Sequence, residues 1–150
     1  MEDCLKEGVH KLWKFVHLED YEYQSPRVKG VEFNSKWLEI NDGVITVKGS
    51  KGGFAWDGCT PKKNWKHLTI GTPDGMLHTF GNNDHKPITY YASMIHDAIY
   101  QYKACVPLSR KVTDLIFLDM LKERKFYWTK VYYRTVRALG GIYGDWMIKD

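Results

Sequence analysis

The chain has 150 residues, the length of one ordinary domain and enough to bury a single core. Apolar residues make up 43% of it and charged residues 27%, a balance that excludes disordered and fibrous classes. The formal net charge of +4 permits contact with anionic phosphate or lipid without requiring it.

In chain order, the first predicted element is ambiguous. Leu5, Val9, Leu12 and Val16 line one face of a helix, while Trp13 to Tyr23 also fits a strand. From about residue 12 to 60 the chain is rich in Gly, Asn and β-formers, which predicts a small antiparallel sheet. Asn41-Asp42-Gly43 between two short apolar segments marks a hairpin, with Gly43 free to take positive φ. From Trp65 to Pro87, Pro73-Asp74-Gly75 and Gly81-Asn82-Asn83-Asp84 leave little room for regular structure. A helical part is predicted over about 88–140. Its first helix runs from about Thr89 to Lys103, before Pro107. The second starts after Ser109, a good N-cap, and reaches about Lys125; the third covers about Thr129 to Leu139 and stops at Gly140-Gly141. The fold class read from this order is α+β in one domain over 1–150.

Nothing in the chain is long and apolar enough to span a bilayer, and the start lacks the basic and apolar stretches of a signal peptide. Both point to a cytoplasm. Cys4, Cys59 and Cys105 are odd in number and irregularly spaced, so they form neither a disulfide framework nor a zinc site, and free thiols are expected.

On the first predicted helix, three-and-four spacing puts His96 on an apolar face with Ala92, Ile99 and Tyr100. On the second, Asp114 lies above Phe117, Leu118 and Leu121, and a carboxylate on an apolar stripe needs a partner. The short Ala104–Leu108 connection makes the helices antiparallel neighbours, so Asp114 is expected to bond one ring nitrogen of His96. The other nitrogen is then free to act as a base. The same residues also fit a purely structural arrangement, with Asp114 paired to Arg110 one turn earlier. Asp97 projects about a quarter-turn from His96 and is placed to bind what the histidine faces. Asp57-Gly58, after Phe54-Ala55-Trp56, offers a second carboxylate and a backbone carbonyl, the hard oxygen donors that calcium takes, or else an ordinary turn. Trp56, Lys62, Lys63, Trp65 and Lys66 interleave aromatic and basic residues, as suits an anionic membrane interface. The basic residues are otherwise scattered, and no nucleic-acid partner is expected.

Four blocks then stand in order: Asp57-Gly58-Cys59-Thr60; His96-Asp97-x-x-Tyr100-x-Tyr102-Lys103; Arg110-x-x-x-Asp114-x-x-Phe117 followed by Asp119-Met120; and Tyr132-Tyr133-x-x-Val136-x-x-Leu139-Gly140. Together they resemble secreted bacterial phospholipase A2 over Asp57 and the three helices. More closely, over Trp37 to Gly140, they resemble a phage- and prophage-encoded family of unknown function. The lipase resemblance implies a calcium-dependent hydrolase of phospholipid esters. In it His96, oriented by Asp114, deprotonates a water. Asp97, Asp57 and the Gly58 carbonyl hold calcium, and Tyr100 with Tyr132 or Tyr133 bonds Asp114. One departure is Ser93, where the bacterial enzyme has a cysteine bonded to its calcium loop. The phage resemblance implies the host cytoplasm or a virion as location. It also admits a non-catalytic structural or accessory protein with a phage partner. A third reading is a metal-dependent phosphohydrolase using His67, His78 or His85 as a further ligand.

Overall fold

The computed structural model describes residues 15–56, 63–65, 68–70, 86, 88–139 and 145–150, with backbone alone over 63–65 and 68–70 and at 139. Strands come first and helices last, so the chain is α+β. Strands β2 (Asp20–Gln24), β3 (Glu32–Asn34), β4 (Leu38–Asn41) and β5 (Val44–Lys48) form an antiparallel sheet in the order β2-β5-β4-β3. Strand β1 (Phe15–His17) pairs with β6 (Phe54–Trp56). The described part of the ambiguous N-terminal segment is therefore two strands, β1 and β2, broken at Leu18-Glu19. Asn41 faces Val44 across Asp42-Gly43, whose φ angles of 37° and 97° are those of a two-residue primed turn.

Alternation decides which face of the sheet is covered. Leu38, Ile40, Ile45 and Val47 are buried, while Glu39, Thr46 and Val44 are less so. Tyr21 and Tyr23 lie opposite Val47 and Ile45 on that same face. Each fully buried aliphatic side chain contributes roughly 1.5–3 kcal/mol. After Trp56 the chain forms one more strand pair, β7 (Lys63–Trp65) with β8 (Leu68–Ile70). This corrects the loop expected from Trp65 onward: Leu68-Thr69-Ile70 are β-formers and pair straight back on Lys63–Trp65.

Helices α1 (Tyr90–Gln101), α2 (Arg110–Glu123) and α3 (Thr129–Leu139) follow at the predicted places. Helix α1 is the centre of the molecule. From Ala92 to Ile99 every residue except Asp97 is buried. One face meets the sheet, where Tyr91 stacks on Tyr21 at 4.2 Å between centroids; the other meets α2. Trp56 is fully buried between the Phe15 and Phe54 rings, and its Nε1 donates to Ser93 Oγ at 3.1 Å. That bond ties β6 to α1 one turn before His96. Helix α2 begins at Ser109, whose Oγ accepts from the Val112 amide at 3.3 Å. It buries Thr113, Asp114, Ile116, Phe117, Met120 and Leu121 on one stripe. Tyr100 meets Asp114 while His96 meets both Asp114 and Phe117, so α1 and α2 run antiparallel.

Candidate functional site

The site forms where three helices meet a single carboxylate. Asp114 is fully buried. Its Oδ1 accepts from His96 Nε2 at 2.8 Å and from the Tyr100 hydroxyl at 2.9 Å, and its Oδ2 accepts from Arg137 Nη1 at 3.0 Å. A carboxylate paired with a guanidinium is an acceptor, so the proton on Nε2 belongs to His96. Nδ1 is thereby left as the imidazole's one acid–base position. It points toward Asp97, with 3.7 Å between Nδ1 and Asp97 Oδ1, too far for a direct hydrogen bond and close enough for charge attraction. His96 is buried, at 7% exposed, while the Asp97 side chain beside it is part-exposed.

Opposing forces set the ionisation of this cluster. Burial pulls the His96 imidazolium toward neutrality, but the bond to Asp114 and the Asp97 charge outweigh it and hold its pKa above the ordinary value. Burial, reinforced by the charge of Asp114, pushes the Tyr100 phenol far up, so it stays a donor. Burial also works against the Arg137 charge, and the carboxylates of Asp150 and Asp114 overcome it.

Sequence reasoning missed the outer half of this network. Arg137 Nη2 donates to Asp150 Oδ2 at 3.0 Å, and Asp150 Oδ1 accepts from the Lys111 amide at 2.6 Å in the first turn of α2. Trp146 sets its ring edge-on to Tyr100, 4.8 Å between centroids. Arg137 is one of several basic residues on α3, and Asp150 is 36 positions from Asp114; neither carries a local pattern that marks it. The pairing of Asp114 with Arg110 is overturned. Arg110 instead donates to the Arg137 carbonyl at 3.0 Å and lies 3.7 Å from Asp150.

Of the other predicted site residues, Tyr132 packs edge-on against Phe126 and Tyr133 lies in the electrostatic range of Arg27, while the second oxygen of Asp114 goes to Arg137. Trp56 is corrected as an interface residue: its ring fills the core instead of meeting lipid. Asp57, Gly58, Lys62, Lys66, His67, His78 and His85 lie outside the described residues, as do the side chains of Lys63 and Trp65. The expectation of free thiols is also corrected. Cys105 is disulfide-bonded, its partner lying outside the described residues. An odd cysteine count forbids a complete framework but leaves room for one bridge.

The donor chemistry around Asp97 suits a hard cation. Asp97 presents a part-exposed carboxylate on the Nδ1 side of the dyad, with no soft sulfur ligand in the predicted set. Among the described residues no group of three or more His, Cys, Asp or Glu side chains gathers to hold a metal, so Asp97 needs ligands from beyond them. Strand β6 ends at Trp56, bonded to Ser93 on the helix that carries Asp97, and Asp57-Gly58 follow it directly.

No family model, curated protein or solved structure matches the chain. What fold and site define is therefore a class: an α+β protein with a buried carboxylate–histidine pair whose second ring nitrogen opens beside another carboxylate.

Proposed function

We propose that the protein is a His–Asp dyad hydrolase that cleaves phospholipid esters with the help of calcium. One observation carries the reading: the 2.8 Å bond from His96 Nε2 to a fully buried Asp114, which leaves Nδ1 on the side of Asp97. A core histidine needs no second carboxylate at its free nitrogen. A general base next to a cation site does.

The chain's own residues supply most of the chemistry. Neutral Nδ1 takes a proton from a water molecule, and the resulting imidazolium is stabilised by Asp114 through Nε2. Tyr100 and Arg137 hold the carboxylate so that the ring cannot rotate between proton uptake and return. Asp97, with Asp57 and the Gly58 carbonyl, would hold calcium, which when bound polarises the ester carbonyl as a Lewis acid. Ser93, in place of the cysteine implied by the lipase resemblance, holds β6 to α1 by hydrogen bonding, so the segment before Asp57 is still anchored. The disulfide at Cys105 supports an oxidising location, where calcium is plentiful, over a reducing cytosol. Release of fatty acid from phospholipid, measured with calcium and with chelator, tests this. Calcium-dependent turnover is the expected result, and absent turnover in both conditions overturns it.

A second reading is favoured by the three donors on Asp114: the cluster is a structural junction of a non-catalytic accessory protein. The two separate at His96→Asn, which abolishes turnover under the first and changes nothing functional under the second.

A further inference from the structure

The corner between α2 and α3 carries a surface that the dyad does not use. Helix α2 ends in a Schellman-type cap, with the Phe126 amide bonded to the Leu121 carbonyl at 3.1 Å and the Lys125 amide to Lys122 at 2.9 Å. Phe126 is buried against Tyr132, and the Thr129 amide donates back to the Phe126 carbonyl at 3.2 Å, so the corner is firmly seated. On this support two aromatic rings point outward. Tyr127 is 85% exposed and Trp128 49%, packed edge to face at 5.1 Å, with Val131 beside them at 46%.

The charges around these rings are mostly basic. Lys122, Lys125, Lys130 and Arg134 are exposed and form no ion pair among the described residues. The neighbouring acids are engaged elsewhere: Glu123 accepts from the Tyr23 hydroxyl at 2.8 Å, and Asp119 binds Arg27. Lys125 sits at the left-handed cap position with φ of 53°, where glycine is the unstrained choice. A lysine there has a conformational cost, and what it adds in return is charge.

We propose that the Tyr127–Trp128 corner docks on an anionic phospholipid bilayer. Tyr and Trp have an apolar body and a polar tip, which suits the headgroup level, and unpaired lysines beside them are attracted to acidic lipids. Combining apolar insertion with charge supplies the two signals that stable surface binding needs. A projecting corner with an aliphatic residue fits a planar bilayer better than a nucleic-acid backbone, which gives Val131 nothing to bury against. The inference stands apart from the hydrolase reading, because nine residues of α2, about 14 Å, separate Asp114 from the end of that helix.

Co-sedimentation of the full chain with vesicles of ether-linked phospholipid, in chelator, tests this without any ester to cleave. Binding to vesicles containing acidic lipid is expected, weak binding to zwitterionic vesicles, and a decline with salt. Trp128→Ala and Lys130→Glu should each weaken partitioning, by about fivefold per unit of charge removed for the latter. Lys125→Gly should raise the melting temperature while lowering partitioning, a pairing that a structural role cannot produce. Equal binding to both vesicle types, wild-type partitioning by the Trp128 and Lys130 variants, or preference for an oligonucleotide over vesicles would overturn the proposal. Failed hydrolysis with intact vesicle binding rejects the enzyme reading alone.

Discussion

Asp114 illustrates how much rests on one side chain. A buried carboxylate is stable only while its partners remain, and its loss leaves His96, Tyr100 and Arg137 facing an apolar gap. Asp114→Ala is expected to destabilise the protein by about 3–5 kcal/mol, measured by denaturant unfolding. His96→Asn keeps a polar, hydrogen-bonding group beside Asp114, so it should stay folded and lose turnover by a factor on the order of 10²–10⁴. The two variants together separate scaffold from chemistry. A pH series adds a sign that only this arrangement predicts. Because the His96 pKa is held above 6.5, its ion pair contributes fully below that pH and is lost as pH rises through the raised value. Neutral Nδ1 accumulates over the same interval. Activity should climb while melting temperature falls, and parallel movement of the two would contradict the assignment.

At the scale of elements, close backbone approach matters as much as hydrophobic pattern. Gly49 lies against the carbonyls of His17 and Glu19, where an added Cβ would collide with backbone. Gly49→Ala should therefore cost about 1–3 kcal/mol in thermal or denaturant unfolding, since neither carbonyl can move freely. The helices and the Asp42-Gly43 turn were legible in the sequence because local chemistry specifies them: Ser109 caps α2, and the turn needs positive φ. Strand β8 was not, because Leu68-Thr69-Ile70 is too short to stand out beside so many turn residues. In the site, His96 and Asp114 could be read from helical spacing, and the bond of Tyr100 to Asp114 was implied by the lipase resemblance. Arg137 and Asp150 could not, since only the folded chain brings α3 and residue 150 to the start of α2.

For the molecule as a whole, sheet and helices share one core, in which Ile45 and Val47 of the sheet join Ile95, Ile99 and Leu121 of the helices. The disulfide at Cys105 starts from the connection between α1 and α2. Reduction, or Cys105→Ser, should lower unfolding stability by about 2–4 kcal/mol, visible as a drop in melting temperature with reductant. That so many constraints meet at Asp114 has a kinetic corollary. A folding intermediate without α1 docked on α2 has no dyad, whereas one lacking only α3 keeps the His96–Asp114 bond and leaves the buried carboxylate without its Arg137 partner. Recovery of dyad chemistry during refolding would then trail the burst of helical signal and mark the docking of α1 on α2.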